Sequence, residues 1–107
     1  MKIKTALDRL TAFAITRYAH TNRKRAKPEE LSDEAFERNR HSVERFLTEA
    51  IANGCTDKTF GEIFYNSFSP LSQSHPFTNR NAEDQASWEK TARYFMAEVV
   101  AELKREE

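Results

Sequence analysis

Apolar residues recur every three or four positions over long stretches of this chain, the period of one face of an α-helix. Ile3, Leu7, Leu10, Ala14 and Tyr18 make the first stripe, with Phe13 and Ile15 flanking it on either side. The pattern predicts a helix from about Thr5 to Lys24. Its wide apolar arc predicts contact with two neighbours. Pro28 breaks the pattern, and Ser32 follows as an N-cap with Asp33 and Glu34 in the first turn. A second helix then spans Asp33 to Asn53, with Phe36, Val43, Phe46, Leu47, Ala50 and Ile51 inward and Gly54 as a left-handed stop. Thr56 or Asp57 caps a short third helix reaching Phe68, whose inward set is Phe60, Ile63, Phe64 and Phe68. Pro70 ends it.

Residues 69–81, rich in Ser, Asn and Pro, read as a loop that Phe77 anchors to the core. Asn81 caps the last helix, with Asp84 at its third position in a capping-box-like arrangement. Its stripe is Trp88, Ala92, Phe95, Met96, Val99 and Leu103. No segment keeps period two for long, and β-branched residues are sparse. The expectation is a single all-α domain over residues 1–107, an antiparallel bundle of about four helices. A shift of 52 residues lays Phe36, Val43, Leu47 and Ile51 over Trp88, Phe95, Val99 and Leu103, an echo that any two amphipathic helices can produce.

Composition sharpens this picture. Apolar residues are 38% of the chain, against about 45–50% on the count with glycine in ordinary domains. The core is thin, and a partner or second copy covering apolar surface would help it. Eight Phe, three Tyr and one Trp at zero net charge exclude general disorder. The zero conceals asymmetry. Residues 1–28 carry a net +7, residues 29–62 a net −5 and the rest −2. That excludes a general nucleic-acid coat and leaves a local basic patch.

The lone Cys55 has no intrachain partner and fits a reducing compartment. Asp8, Arg9 and Thr11 interrupt the N-terminal apolar positions, so no signal-peptide core is present. No run reaches the ~18 apolar residues of a membrane span. A cytoplasmic chain that does not enter a membrane is the reading.

Chemistry is sparse. His20, His41 and His75 lack the paired spacing of a helical metal site, and no cofactor or metal is expected. The acid pairs Glu29-Glu30, Asp33-Glu34 and Glu83-Asp84 sit at helix starts, where the dipole explains them. Two glycines make no phosphate loop, and no serine nucleophile motif occurs. The chain does not read as an enzyme. A thiol enzyme built on Cys55 ranks last.

Two features point to binding. Arg23, Lys24, Arg25 and Lys27 could neutralise phosphates, or be masked by Glu29, Glu30, Asp33 and Glu34 just downstream. On the last helix, Ser87, Lys90, Tyr94, Ala97 and Ala101 form a second, small and partly apolar face opposite the core stripe. Tyr94 among alanines suits close approach by another helix, from this chain or from a second copy in a homodimer.

Residues 7–54 resemble the second half of the ryanodine-receptor-type repeat domain, which also occurs as a small module in bacteria and phages. The likeness rests on Arg17-Tyr18, Arg23-Lys24-Arg25, Glu30-Leu31-Ser32-Asp33-Glu34, Asn39-Arg40, Val43, Leu47 and Gly54-Cys55. It covers under half the chain and lacks the family's glycine–tryptophan segment and its aromatic–proline pair. The resemblance implies a ligand- or partner-binding role and transfers no site residue. The leading expectation is a non-enzymatic regulatory or accessory protein that binds another protein, of the kind phages and mobile elements use to inhibit a host protein. The alternative is nucleic-acid or nucleotide binding through the basic end of the first helix.

Overall fold

Each apolar stripe becomes a helix. The computed structural model of the chain describes residues 3–18, 26–53, 59–69 and 71–105. They form α1 (Ala6–Arg17), α2 (Asp33–Asn53), α3 (Phe60–Phe68) and α4 (Ala82–Arg105), with 3₁₀ turns at Pro28–Glu30 and Phe77–Asn79. The described residues contain no strand, and the chain is the small all-α bundle that its periodicity predicts.

The caps explain where the helices start. Thr5 and Asp8 form a reciprocal capping box at α1. Ser32 Oγ accepts from the Ala35 amide at 3.1 Å, and Thr59 Oγ1 accepts from the Glu62 amide at 3.2 Å. Thr59 thus caps α3, in place of the expected Thr56 or Asp57, which lie outside the described residues with Gly54 and Pro70. Asn81 caps α4 as expected, its Oδ1 taking the Asp84 amide at 2.8 Å. The reciprocal half of that box is not made, because Arg80 Nε holds the Asp84 carboxylate at 2.6 Å.

α1 ends at Arg17, well short of the expected Lys24. Tyr18 is extended (φ −119°, ψ 112°). Its ring stands edge-on to Phe13 and Phe64, with centroids 6.1 and 5.6 Å away. The rest of the expected helix, from Ala19 to Lys24, lies outside the described residues.

The core centres on three rings from three helices. Phe46 of α2, Phe64 of α3 and Phe95 of α4 meet edge to face, with centroids 5.2, 5.5 and 5.6 Å apart. That is the favourable geometry for aromatic pairs. All three are fully buried. Phe68 stacks on Phe64 at 4.3 Å, while Leu10 and Ala14 of α1 close the cluster with Val43, Ile63 and Ala92. Half-buried Trp88 borders it.

Three inward assignments fail. Ile51 is 81% exposed, Phe60 42% and Leu103 62%. Each sits in the first or last turn of its helix, and beside Phe60 and Leu103 the adjacent Gly61 and Glu102 take the inward place instead. Tyr65 takes a buried place instead. It packs on Phe77 and Trp88, and its hydroxyl donates to the His75 carbonyl. The loop is thereby tied to α3, with Phe77 as the expected anchor.

α3 and α4 make the most extensive contact in the molecule, and Gly61 is its condition. A Cβ there would stand 2.8 Å from the Glu89 Cα and closer still to the Glu89 carboxyl. That carboxyl accepts the Gly61 amide at 2.8 Å, so α4 satisfies an orphan donor in the first turn of α3. Among the described residues no helix is long and apolar enough to cross a membrane.

Urea unfolding checks these assignments. Phe46→Ala is expected to cost about 3–5 kcal/mol, whereas Ile51→Ala should stay within about 0.5 kcal/mol. Gly61→Ala ordinarily gains about 1 kcal/mol in a helix. Here it should instead lose about 1–3 kcal/mol to overpacking.

Candidate binding surface along the first and last helices

α1 touches α4 less extensively than α3 does, and the contact is made at intervals. The two helices run in opposite directions, since Arg9, Phe13 and Tyr18 meet Glu102, Phe95 and Thr91 in turn. At one end the Arg9 guanidinium grips Glu102 with both carboxylate oxygens engaged, at 2.9 to 3.1 Å. Arg105 adds a bond to the same carboxylate at 2.9 Å. Glu102 is buried although charged. It continues the three-to-four spacing of the α4 stripe after Val99, which places it toward α1 and turns Leu103 outward.

The preceding residue of α1 makes the opposite bond. Buried Asp8 accepts from Arg40 of α2 at 2.6 and 2.9 Å, and from the Lys4 and Thr5 amides at 3.1 Å. Arg40 also bonds Glu37 and lies over the Phe36 ring. Adjacent residues on a helix point about 100° apart, so one turn of α1 reaches α2 through an acid and α4 through a base.

Burial pushes the Asp8 carboxyl up. The hydrogen bonds from Lys4, Arg40 and Thr5 outweigh it and hold the group below its ordinary 3.8. The Arg9 hydrogen bonds likewise hold Glu102 below its ordinary 4.5, against burial and with help from Arg105.

At the other end of the seam, the Tyr18 hydroxyl donates to the Thr91 carbonyl at 3.4 Å. Burial pushes this phenol up to about 12, with Arg17 opposing and Glu98 adding to the shift. It therefore remains a donor at neutral pH. Between the two ends the seam opens into a groove of about 500 Å³, lined among the described residues by Phe13, Arg17, Tyr18, Tyr94, Ala97 and Glu98. Arg17 lies over the Phe13 ring at 5.5 Å. A second concavity runs along α4 past Ala86, Lys90 and Arg93, and Tyr94 and Ala97 line it too. Tyr94, 60% exposed, is thus a ridge between two hollows.

The face read from sequence stays open. Ser87, Lys90, Tyr94 and Ala97 are exposed and Ala101 is half-buried. α1 borders this face without covering it. The structure joins Tyr94 to Phe13 and Arg17, of which the sequence marked the first only as a stripe's flank and the second only in the Arg17-Tyr18 pair of the family resemblance.

The basic cluster is mostly outside the described residues, since Arg23, Lys24 and Arg25 fall there. Lys27 is exposed at the start of the Pro28–Glu30 turn. Among the described residues no ion pair joins it to Glu29, Glu30, Asp33 or Glu34. His20 and Cys55 are also outside the described residues. His41 is exposed 3.6 Å from Glu37, and exposed His75 meets Ser74. Among the described residues no three His, Cys, Asp or Glu side chains gather as a metal site would. Comparison with known protein families, characterised proteins and solved structures returns no match.

The two buried carboxylates set an acid limit. Both have folded values below their unfolded ones, so their stabilisation is complete above pH 3.8 and 4.5. It is lost as pH falls through the depressed values. Urea unfolding across pH 2 to 7 should show stability falling at the acid end. The double variant Asp8→Asn, Glu102→Gln should flatten that fall, and an unchanged slope would remove these groups from the account.

Proposed function

We propose that this chain is a non-enzymatic regulatory or accessory protein that works by binding another protein through the α1–α4 surface. The observation that carries the reading is Tyr94, an exposed ring between two hollows with Phe13, Arg17 and Tyr18 beside it. Tyrosine and arginine are the side chains most often found as anchors of binding energy. A large aromatic held out on a rigid helix costs little entropy to use.

The polar groups with displaced titration support the same view. Asp8 and Glu102 join helices, Tyr18 bonds the α4 backbone, and Arg80 holds the start of α4. Each has a structural occupation. The resemblance of residues 7–54 to a ligand- or partner-binding repeat is compatible with this reading. Inhibition of a host protein by a phage or mobile-element product is one setting in which such a module would work.

The test is affinity recovery from cells that express the protein, with nuclease present, using wild type and Tyr94→Ala. Retention of a defined protein partner by wild type, weakened at least about tenfold in the variant, is the expected outcome. Equal recovery by both, or recovery that nuclease abolishes, would overturn the assignment.

A further inference from the structure

The surface of α4 around Tyr94 carries a charge order that inverts about its centre. Along one helical face, at spacings of three and four, stand Glu83, Ser87, Lys90, Tyr94, Glu98, Ala101 and Arg105. Lys90 and Glu98 lie four positions either side of Tyr94, about 6 Å along the axis. Glu83 and Arg105 lie eleven positions either side, about 16 Å. Each of the four charges in this row therefore has its opposite at the mirrored distance, while Arg93 beside the row is unmatched.

We propose that a second copy of this chain docks on α4, with the two helices antiparallel and related by a two-fold axis beside Tyr94. The inference rests on reading this face as a protein-docking surface, and it names the partner. A two-fold interface must be complementary to itself, and this one is. Lys90 meets Glu98 of the partner copy, Glu83 meets Arg105, and Ser87 meets Ala101, with no like charges opposed along this row; Arg93, beside the axis, is the one cation near its own copy. A parallel pairing would set every charge against its own kind.

The shape agrees with the charges. The ridge of Tyr94 flanks the hollow along Ala86, Lys90, Arg93 and Ala97, so each copy offers both ridge and recess. Two of the four charged residues have occupations within the chain. Arg105 also bonds Glu102, and Glu98 lines the groove with Arg17 and Tyr18. A helix contact about 36 Å long and about 10 Å wide falls short of the ~800 Å² per partner of a standard interface. The dimer is accordingly weak and reversible.

Sedimentation equilibrium of the whole chain tests this, taken to about 1 mM so that even a millimolar constant is visible. The mass should rise from 12.5 kDa toward twice that value. Lys90→Glu and Glu98→Lys should each weaken association at least about tenfold by opposing like charges. An equimolar mixture of the two variants should recover it, as should the double variant. Circular dichroism on each sample separates lost contact from lost fold.

A chain that stays at 12.5 kDa throughout, or a dimer indifferent to both substitutions, overturns the proposal. If the chain is monomeric while Tyr94→Ala still abolishes recovery of another protein, the self-pairing is wrong and the docking surface stands. If the chain is monomeric and Tyr94→Ala changes nothing, both fall.

Discussion

Asp8 and Arg9, neighbours in the first turns of α1, fix that helix by pulling in two directions at once. The acid is held by Arg40 of α2 and the base by Glu102 of α4. A carboxylate out of water is costly unless paired and hydrogen-bonded, so each bond constrains where α1 can lie. Between the polar links at Arg9 and Tyr18, α1 meets α4 through Phe13 on Phe95, and a groove opens beside that contact.

Behind α1 stands a core that does much with few residues. At 38% apolar content the chain relies on large rings. Phe46, Phe64 and Phe95 join α2, α3 and α4 in one contact, and Gly61 lets α3 lie close enough to α4 for it. Leu10, Ala14, Phe13 and Tyr18 bring α1 to the same cluster. A thin core leaves surface apolar groups without cover, which is where an interaction surface can arise.

The helices were legible because burial imposes a period, and α2 lies over the predicted Asp33 to Asn53. Helix ends were less so. Ile51, Phe60 and Leu103 have the right spacing, but in the end turns spacing does not say which of two adjacent residues faces the neighbour, and Gly61 and Glu102 do so in place of Phe60 and Leu103. The first helix stops at Arg17 because Tyr18 turns extended to pack its ring on Phe13 and Phe64, a tertiary contact that spacing alone does not show. The buried carboxylates were missed for a different reason. An acid in a charged sequence looks solvated until its partner is known, and the partners lie 32 and 93 residues away. Local signals existed, since Thr5 and Asp8 have capping-box spacing and Glu102 continues the α4 stripe. The exposure of Tyr94 was legible because an aromatic off the core face stands out against alanines. Phe13 and Arg17 beside it depend on how α1 packs, which no local pattern contains.

On this account α1 is clipped onto an aromatic three-helix core by two buried carboxylates, and the groove beside Tyr94 keeps its Phe13 and Arg17 wall only while it stays there. Residue-resolved hydrogen exchange of the Asp8→Asn, Glu102→Gln variant at neutral pH measures this most directly. Amides of α1 from Leu10 to Arg17 should lose protection while those of Phe64 and Phe95 keep it. An equal loss in all four helices, or protection of α1 unchanged from wild type, would contradict the account.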